Sequence, residues 1–189
     1  MTHKPFLSVS PSSRAIQLLE IIHSDIAGPM NPKSLGGAAY LHMFMDDFIR
    51  YKVCYLLKCK SEAFACFKEY KTLMEKQQGK VIKKLRTDKA WEYTSNQFCH
   101  LLRQDRIEMQ RITSYMPQSN RVSERSNSTV IGTRGALLHT VNAPKFYLAD
   151  AAMPAIYVQN QLPTRTIQPG FTPFDLWHGR KPTYEHLQK

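Results

Sequence analysis

The run Leu18-Leu-Glu-Ile-Ile-His-Ser-Asp-Ile26 is followed at once by Ala27-Gly-Pro-Met-Asn-Pro32. The first nine residues are apolar and β-leaning, and the Gly and Pro cluster stops them, so the segment reads as a strand. Asp25 is out of place in it. An isolated charge inside an apolar strand is costly unless it is paired or binds a metal.

Working outward, Tyr40-Leu-His-Met-Phe-Met-Asp-Asp47 and Tyr51-Lys-Val-Cys-Tyr-Leu-Leu57 read as a hairpin turning at 47–50, which makes three neighbouring strands. Ser61 is placed to cap a helix in which Phe64, Phe67, Tyr70 and Met74 recur at helical steps, and Gly79 ends it. Residues 81–86 read as a fourth strand, 95–106 as a shorter helix, and 107–110 as a short strand. The stretch 113–120 has loop chemistry. Long helices are expected over about 122–141 and 145–161, with Pro154 kinking or interrupting the second. Four prolines after residue 162 suggest an irregular tail packed over the surface. The order βββαβαβαα defines a mixed α/β domain.

The chain has 189 residues, 42% of them hydrophobic and 11% aromatic, which excludes disorder as the default and is long enough for one sizeable core. No apolar run is long enough for a transmembrane helix, and the N-terminal residues have no secretory h-region. Lys plus Arg outnumber acids 26 to 15, a formal charge of +11. That excess favours a polyanionic partner, nucleic acid before an anionic membrane surface, with a merely basic soluble enzyme as the plain alternative. Cys54, Cys59, Cys66 and Cys99 form no Cys-x-x-Cys pair. They read as reduced and mostly buried, without structural zinc.

Most of the fifteen carboxylates have ordinary explanations. Glu62, Glu69 and Glu75 lie on the solvated side of a helix, and Asp46 and Asp47 suit a hairpin turn. Three resist this treatment. Asp25 breaks an apolar strand. Asp88 follows the C-terminal end of the fourth strand, where α/β sheets commonly place ligands. Glu124 is the only acid between Met109 and Ala149. At 100° per residue, Ile131 and Leu138 fall within roughly 40° of Glu124 around the helix, so it is expected to point inward. A first-turn glutamate favoured by the helix dipole is the alternative. If the first and fourth strands are neighbours, Asp25 and Asp88 lie side by side. Three converging carboxylates are an oxygen set that Mg²⁺ or Mn²⁺ accepts.

The strings His23-Ser-Asp-Ile-Ala-Gly-Pro-Met30, Met45-Asp-Asp47 with Arg50-Tyr51, Leu85-Arg-Thr-Asp88 with Glu92-Tyr93, Pro117-Gln-Ser-Asn120 with Val122-Ser-Glu-Arg125, Asn160-Gln-Leu-Pro-Thr164 and Trp177-His-Gly-Arg-Lys-Pro182 span most of the chain. Together they resemble the integrase catalytic core of copia-type LTR retrotransposon Pol polyproteins, relatives of retroviral integrases. The resemblance implies an RNase H-like fold with a mixed five-stranded sheet flanked by helices. It divides the chain into a linker remnant (1–17) after an absent zinc-binding module, a catalytic core (18–162) and a Pro-rich extension packed on the core (163–189).

The same resemblance implies that Asp25, Asp88 and Glu124 are the catalytic and metal-binding triad, holding two Mg²⁺ or Mn²⁺ ions, one activating the attacking oxygen and one stabilising the leaving 3′-oxygen. Thirty-five residues lie between Asp88 and Glu124, which suits that triad. The implied function is DNA integration, with element 3′ ends joined to target DNA. Tyr115, Gln118, Asn120, Arg121 and Arg125 would face DNA. The partners would be element and target DNA and further copies of the chain, with no membrane. The location would be the nucleus, or a cytoplasmic nucleoprotein particle before nuclear entry. A dimer through helix faces is expected, with residues 64–74 and Leu101-Leu102 as candidates, although core burial also explains those side chains. Lys89, Ala90, Trp91 and Arg121 depart from the family's Asn-Gly-Gly and Asn-Gly-Val strings. They define an alternative, a catalytically decayed or domesticated remnant that only binds nucleic acid. A metal-dependent nuclease of the same fold is a third option.

Overall fold

A computed structural model describes residues 14–87, 93, 95–111 and 117–183, with the backbone alone over 117–124. Its elements are β1 (Ile21–Ala27), β2 (Tyr40–Asp46), β3 (Lys52–Leu57), α1 (Ala63–Gln78), β4 (Lys84–Thr87), α2 (Asn96–Gln104), β5 (Glu108–Arg111), α3 (Pro117–Thr140), α4 (Ala152–Asn160) and α5 (Pro173–His178). The five strands form one sheet in the order β3-β2-β1-β4-β5. β1, β2 and β3 run antiparallel as a meander, while β4 and β5 add parallel to β1. The first and fourth strands are indeed neighbours, with Ile21 opposite Lys84, Ile22 opposite Leu85 and His23 opposite Arg86.

Strand alternation sends successive side chains to opposite faces and so builds two cores. Ile22 and Ile26 of β1 and Phe44 of β2 face the helices α1 and α2, where Phe67, Tyr70 and Phe98 complete the principal core. Phe44 stacks on Tyr70 with ring centroids 4.1 Å apart. On the other face Leu41, Met43 and Cys54 meet Val130 of α3 and Ile156 of α4 in a smaller cluster. Burial pushes the Cys54 and Cys66 thiols up to about 12, which keeps both protonated.

The 46–50 turn is held by its two aspartates. Asp46 accepts the backbone N–H groups of Phe48, Ile49 and Leu19, while burial raises its carboxyl to about 6. Asp47 accepts His23 Nε2–H and an Arg50 N–H, each at 2.7 Å, and the backbone N–H of Ala15. Burial opposes ionisation at Asp47, but His23, the Ala15 amide and Arg50 outweigh it and hold the carboxyl well below its usual range. α4 is fastened to β3 by Asn160, whose amide accepts the Lys52 backbone N–H at 2.9 Å and donates to its carbonyl at 2.8 Å. The Lys52 ammonium donates to Gln159 at 2.6 Å, and burial lowers it to about 8.

Several elements differ from the sequence reading. Ser61 does not cap α1, because it sits in a 3₁₀ turn (Lys60–Glu62), and its hydroxyl lies against Cys59 Sγ. Gly79 ends the helix as expected, at φ 63°. β4 starts at Lys84 rather than residue 81, since the Ile82 N–H is taken by Glu75 and the Lys83 N–H by the Leu19 carbonyl. α3 starts at Pro117, five residues before the expected point. Proline is well suited to a first helical position because its missing N–H needs no partner there. The helix expected over 145–161 is a 3₁₀ turn (Lys145–Leu148) followed by α4. Pro154 falls in the first turn of α4, where it is tolerated. The tail is not irregular throughout. Thr172 and Asp175 form a reciprocal capping box, and α5 carries Trp177 into the principal core, where it stacks on Tyr51 at 4.6 Å. Among the described residues no helix is long and apolar enough to cross a membrane.

Candidate active site

Asp25 lies near the C-terminal end of β1, opposite Met43 of β2, and is half-buried on the sheet face that α3 covers. Its Oδ2 accepts a hydrogen bond from the side-chain amide of Asn127 on α3. Just beyond Asp25 the chain turns at Gly28, whose φ of +132° and close approach to Ala39 and Tyr40 leave no room for a Cβ.

Asp88 lies outside the described residues, one position past the end of β4. Glu124 belongs to α3, but its side chain is outside the described ones. Ile131, expected to mark the inward face of α3 together with Glu124, is instead 44% exposed. The packed stripe of α3 instead runs through Ser126, Val130 and Thr133. Tyr115 is outside the described residues. Gln118, Asn120 and Arg121 lie in the first two turns of α3 with undescribed side chains, and Arg125 is exposed one turn further on. Among the described residues no three His, Cys, Asp or Glu side chains converge, and two of the three predicted ligands are not among those side chains. The candidate dimer helix spends Phe67, Tyr70 and Met74 on the principal core, as does α2 with Leu102.

Asn127 escaped the sequence reading. It stands three residues after Glu124, so helical spacing from that acid was the available signal. A second unforeseen cluster lies on the opposite face of β1. There Ser24 Oγ is 2.8 Å from His42 Nε2 and 2.6 Å from the Tyr93 hydroxyl, and His42 Nε2 is 3.1 Å from the same hydroxyl. All three are buried, and desolvation lowers His42 to about 3, so the ring is neutral.

A five-stranded mixed sheet with two parallel and two antiparallel pairings, covered by helices on both faces, is the RNase H-like fold of integrase catalytic cores. The solved HTLV-2 integrase catalytic core domain in complex with magnesium, in its trimeric form, matches with a TM-score of 0.65 at 20% identity, over 87% of this chain and 100% of that one. A chain of the simian T-cell lymphotropic virus intasome, solved with the PP2A regulatory subunit B56 gamma, matches at 0.68 and 19%, over 94% of this chain and 62% of that chain. In sequence, the homologues of this chain are retrovirus-related Pol polyproteins from plant transposons. They include that of transposon TNT 1-94 from Nicotiana tabacum, 32% identical over 94% of the chain, and that of RE2 from Arabidopsis thaliana, 32% identical over 90%. The chain spans only 13% and 11% of those polyproteins. No family model matches it.

Proposed function

We propose that this chain is a polynucleotidyl transferase core that joins retroelement DNA 3′ ends to target DNA, with Asp25, Asp88 and Glu124 as its carboxylate set. The observation that carries the reading is the contact of Asn127 with Asp25. Side chains three apart on a helix are neighbours, so the turn that holds Glu124 is the one α3 lays against Asp25. The β1–β4 register supports the second carboxylate. Every β4 residue in it is numbered 63 above its β1 partner, and the same offset from Asp25 leads to Asp88.

The donor chemistry fits a divalent ion. A half-buried carboxylate at the C-terminal end of a parallel strand, joined by two further carboxylates, is an all-oxygen set of the kind Mg²⁺ and Mn²⁺ prefer. Bound there, such ions supply Lewis-acid stabilisation of phosphoryl oxygens and activation of the attacking hydroxyl. Asn127 contributes orientation: by holding Oδ2 it fixes the Asp25 carboxylate plane before substrate arrives. The exposed Arg125 and the net charge of +11 favour the DNA backbone electrostatically, with Tyr115, Gln118, Asn120 and Arg121 as further contacts. The chain would act as a homo-oligomer on DNA, in the nucleus or in a nucleoprotein particle before entry. The presence of dimeric and trimeric HTLV-2 cores among its structural neighbours agrees with that.

One set of residues favours a second reading. Lys89, Ala90, Trp91 and Arg121 replace flexible glycines and asparagine of the resembled family, as expected of a remnant that only binds nucleic acid. Mn²⁺-dependent disintegration of a branched oligonucleotide separates the two. Product from the parent and none from Asp88→Asn supports the transferase. No product from folded parent protein that still binds DNA overturns it in favour of the remnant.

A further inference from the structure

We propose that Tyr93 is a positioning residue for the candidate metal site, its hydroxyl tying the segment that follows Asp88 to β1 through Ser24 and His42. The inference rests on the carboxylate assignment above. Tyr93 is five residues after Asp88 in sequence and fully buried, its ring edge-on to Phe98 at 5.1 Å. Its hydroxyl reaches Ser24, the residue immediately before Asp25. Alternation points Ser24 into the principal core and Asp25 to the other face. A tether on Ser24 therefore grips the strand beside Asp25 without occupying the metal-facing side. His42 lies diagonally across from Ser24 on β2, since Ser24 pairs with Phe44 and Ile26 with His42. That places its Nε2 within reach of both hydroxyls.

The surroundings make this polar cluster anomalous. Ile22, Ile26 and Phe44 on the same faces of β1 and β2 are fully buried and apolar. Apolar residues at positions 24, 42 and 93 would satisfy the core equally well, because a buried hydrogen-bond cluster adds little net stability over good packing. It does add geometric precision, since three mutually bonded groups permit one arrangement where apolar contacts permit several. The cluster thus ties Tyr93, five positions after Asp88 in sequence, to the strand that leads into Asp25.

The test compares metal affinity with fold stability in the DNA-free protein. Mn²⁺ binding is followed by loss of the free-ion EPR signal, and thermal unfolding by circular dichroism. Tyr93→Phe keeps the ring, and Ser24 and His42 keep each other. Its unfolding midpoint is expected to drop by no more than about 5 °C. Its Mn²⁺ affinity is expected to fall about tenfold, as for lost outer-shell support. Ser24→Ala removes the other end of the tether and is expected to behave alike. The double variant is expected to lose no more affinity than Tyr93→Phe alone, because both remove one coupling. If Asp25→Asn abolishes Mn²⁺ binding while Tyr93→Phe leaves it unchanged, the inference is overturned and the site assignment stands. If the parent binds no Mn²⁺, both are overturned. Should Tyr93→Phe not fold, unchanged affinity in Ser24→Ala overturns the inference by itself.

Discussion

The side-chain amide of Asn127 on α3 donates to Asp25 Oδ2 on β1, joining residues 102 positions apart. This bond sets the helix that carries Glu124 against the strand that carries Asp25. Asn127→Ala is expected to lower Mn²⁺ affinity and strand transfer about tenfold. Asn127→Asp, which removes the amide donor and sets a second negative charge beside Asp25, should not restore the parent rate. Equal strand-transfer rates in parent and Asn127→Ala would show that the bond does not serve the site.

His42 makes stability depend on pH. Its folded pKa is depressed from 6.5 to about 3, so the unfolded chain takes up the proton first. The stability it confers is complete above 6.5 and is lost, by about 1.4 kcal/mol per unit, as pH falls towards the folded value. Asp46 acts in the opposite sense, since its folded pKa is raised from 3.8 to about 6 and its contribution is lost as pH rises through that range. Comparing parent with His42→Leu cancels the Asp46 contribution. Urea unfolding at pH 7 and pH 5 should show the parent losing about 2 kcal/mol more than the variant.

Gly28→Ala should destabilise the fold by about 2–4 kcal/mol. A Cβ there would meet the Ala39 carbonyl oxygen at 2.6 Å and a Tyr40 ring carbon at 2.8 Å, at a φ of +132° that side chains rarely adopt. The urea midpoint measures the cost. A midpoint equal to that of the parent would mean the β1 exit turn is easily rebuilt.

Trp177→Ala should cost about 3–5 kcal/mol, as expected for an emptied aromatic site in a packed core. The side chain is 5% exposed, stacks on Tyr51 and donates its indole N–H to Gln77 at 3.1 Å. Trp177→Phe should recover part of the loss in the same denaturation experiment.

Non-specific binding to duplex DNA should weaken more than tenfold between 50 and 200 mM salt, through counterion release. Asp25→Asn should retain that binding, because the basic surface and the carboxylates act separately. A salt-independent affinity in filter binding would remove the electrostatic basis for a DNA partner.

The β1–β3 meander was legible because strand alternation is a local pattern, whereas the neighbourhood of β1 and β4 entered only as a possibility, since no local pattern sets a parallel pairing. The aspartate turn at 46–47 was legible as a local pattern too. Its link to His23 was not, since the two meet only once β1 and β2 are paired. The Ser24–His42–Tyr93 cluster joins positions up to 69 apart and leaves no periodic trace. α5 was missed because four prolines outweighed a signal that was present: Thr172-Pro-Phe-Asp175 has the spacing of a capping box. The inward stripe of α3 was misplaced by one residue, from Val130 to Ile131, which rotates a helix face by about 100°. That slip matters most at Glu124, whose inward orientation rested partly on it.

The paired bonds between Asn160 and the backbone of Lys52 have a consequence for how copies of this chain can meet. β3 is the last strand on its side of the sheet, and outward-pointing N–H and C=O groups there would template another strand. At Lys52 both groups are already taken by a side chain that imitates the missing neighbour. Association by continuing the sheet past β3 is therefore obstructed at that end, and copies that assemble are steered towards side-chain surfaces instead.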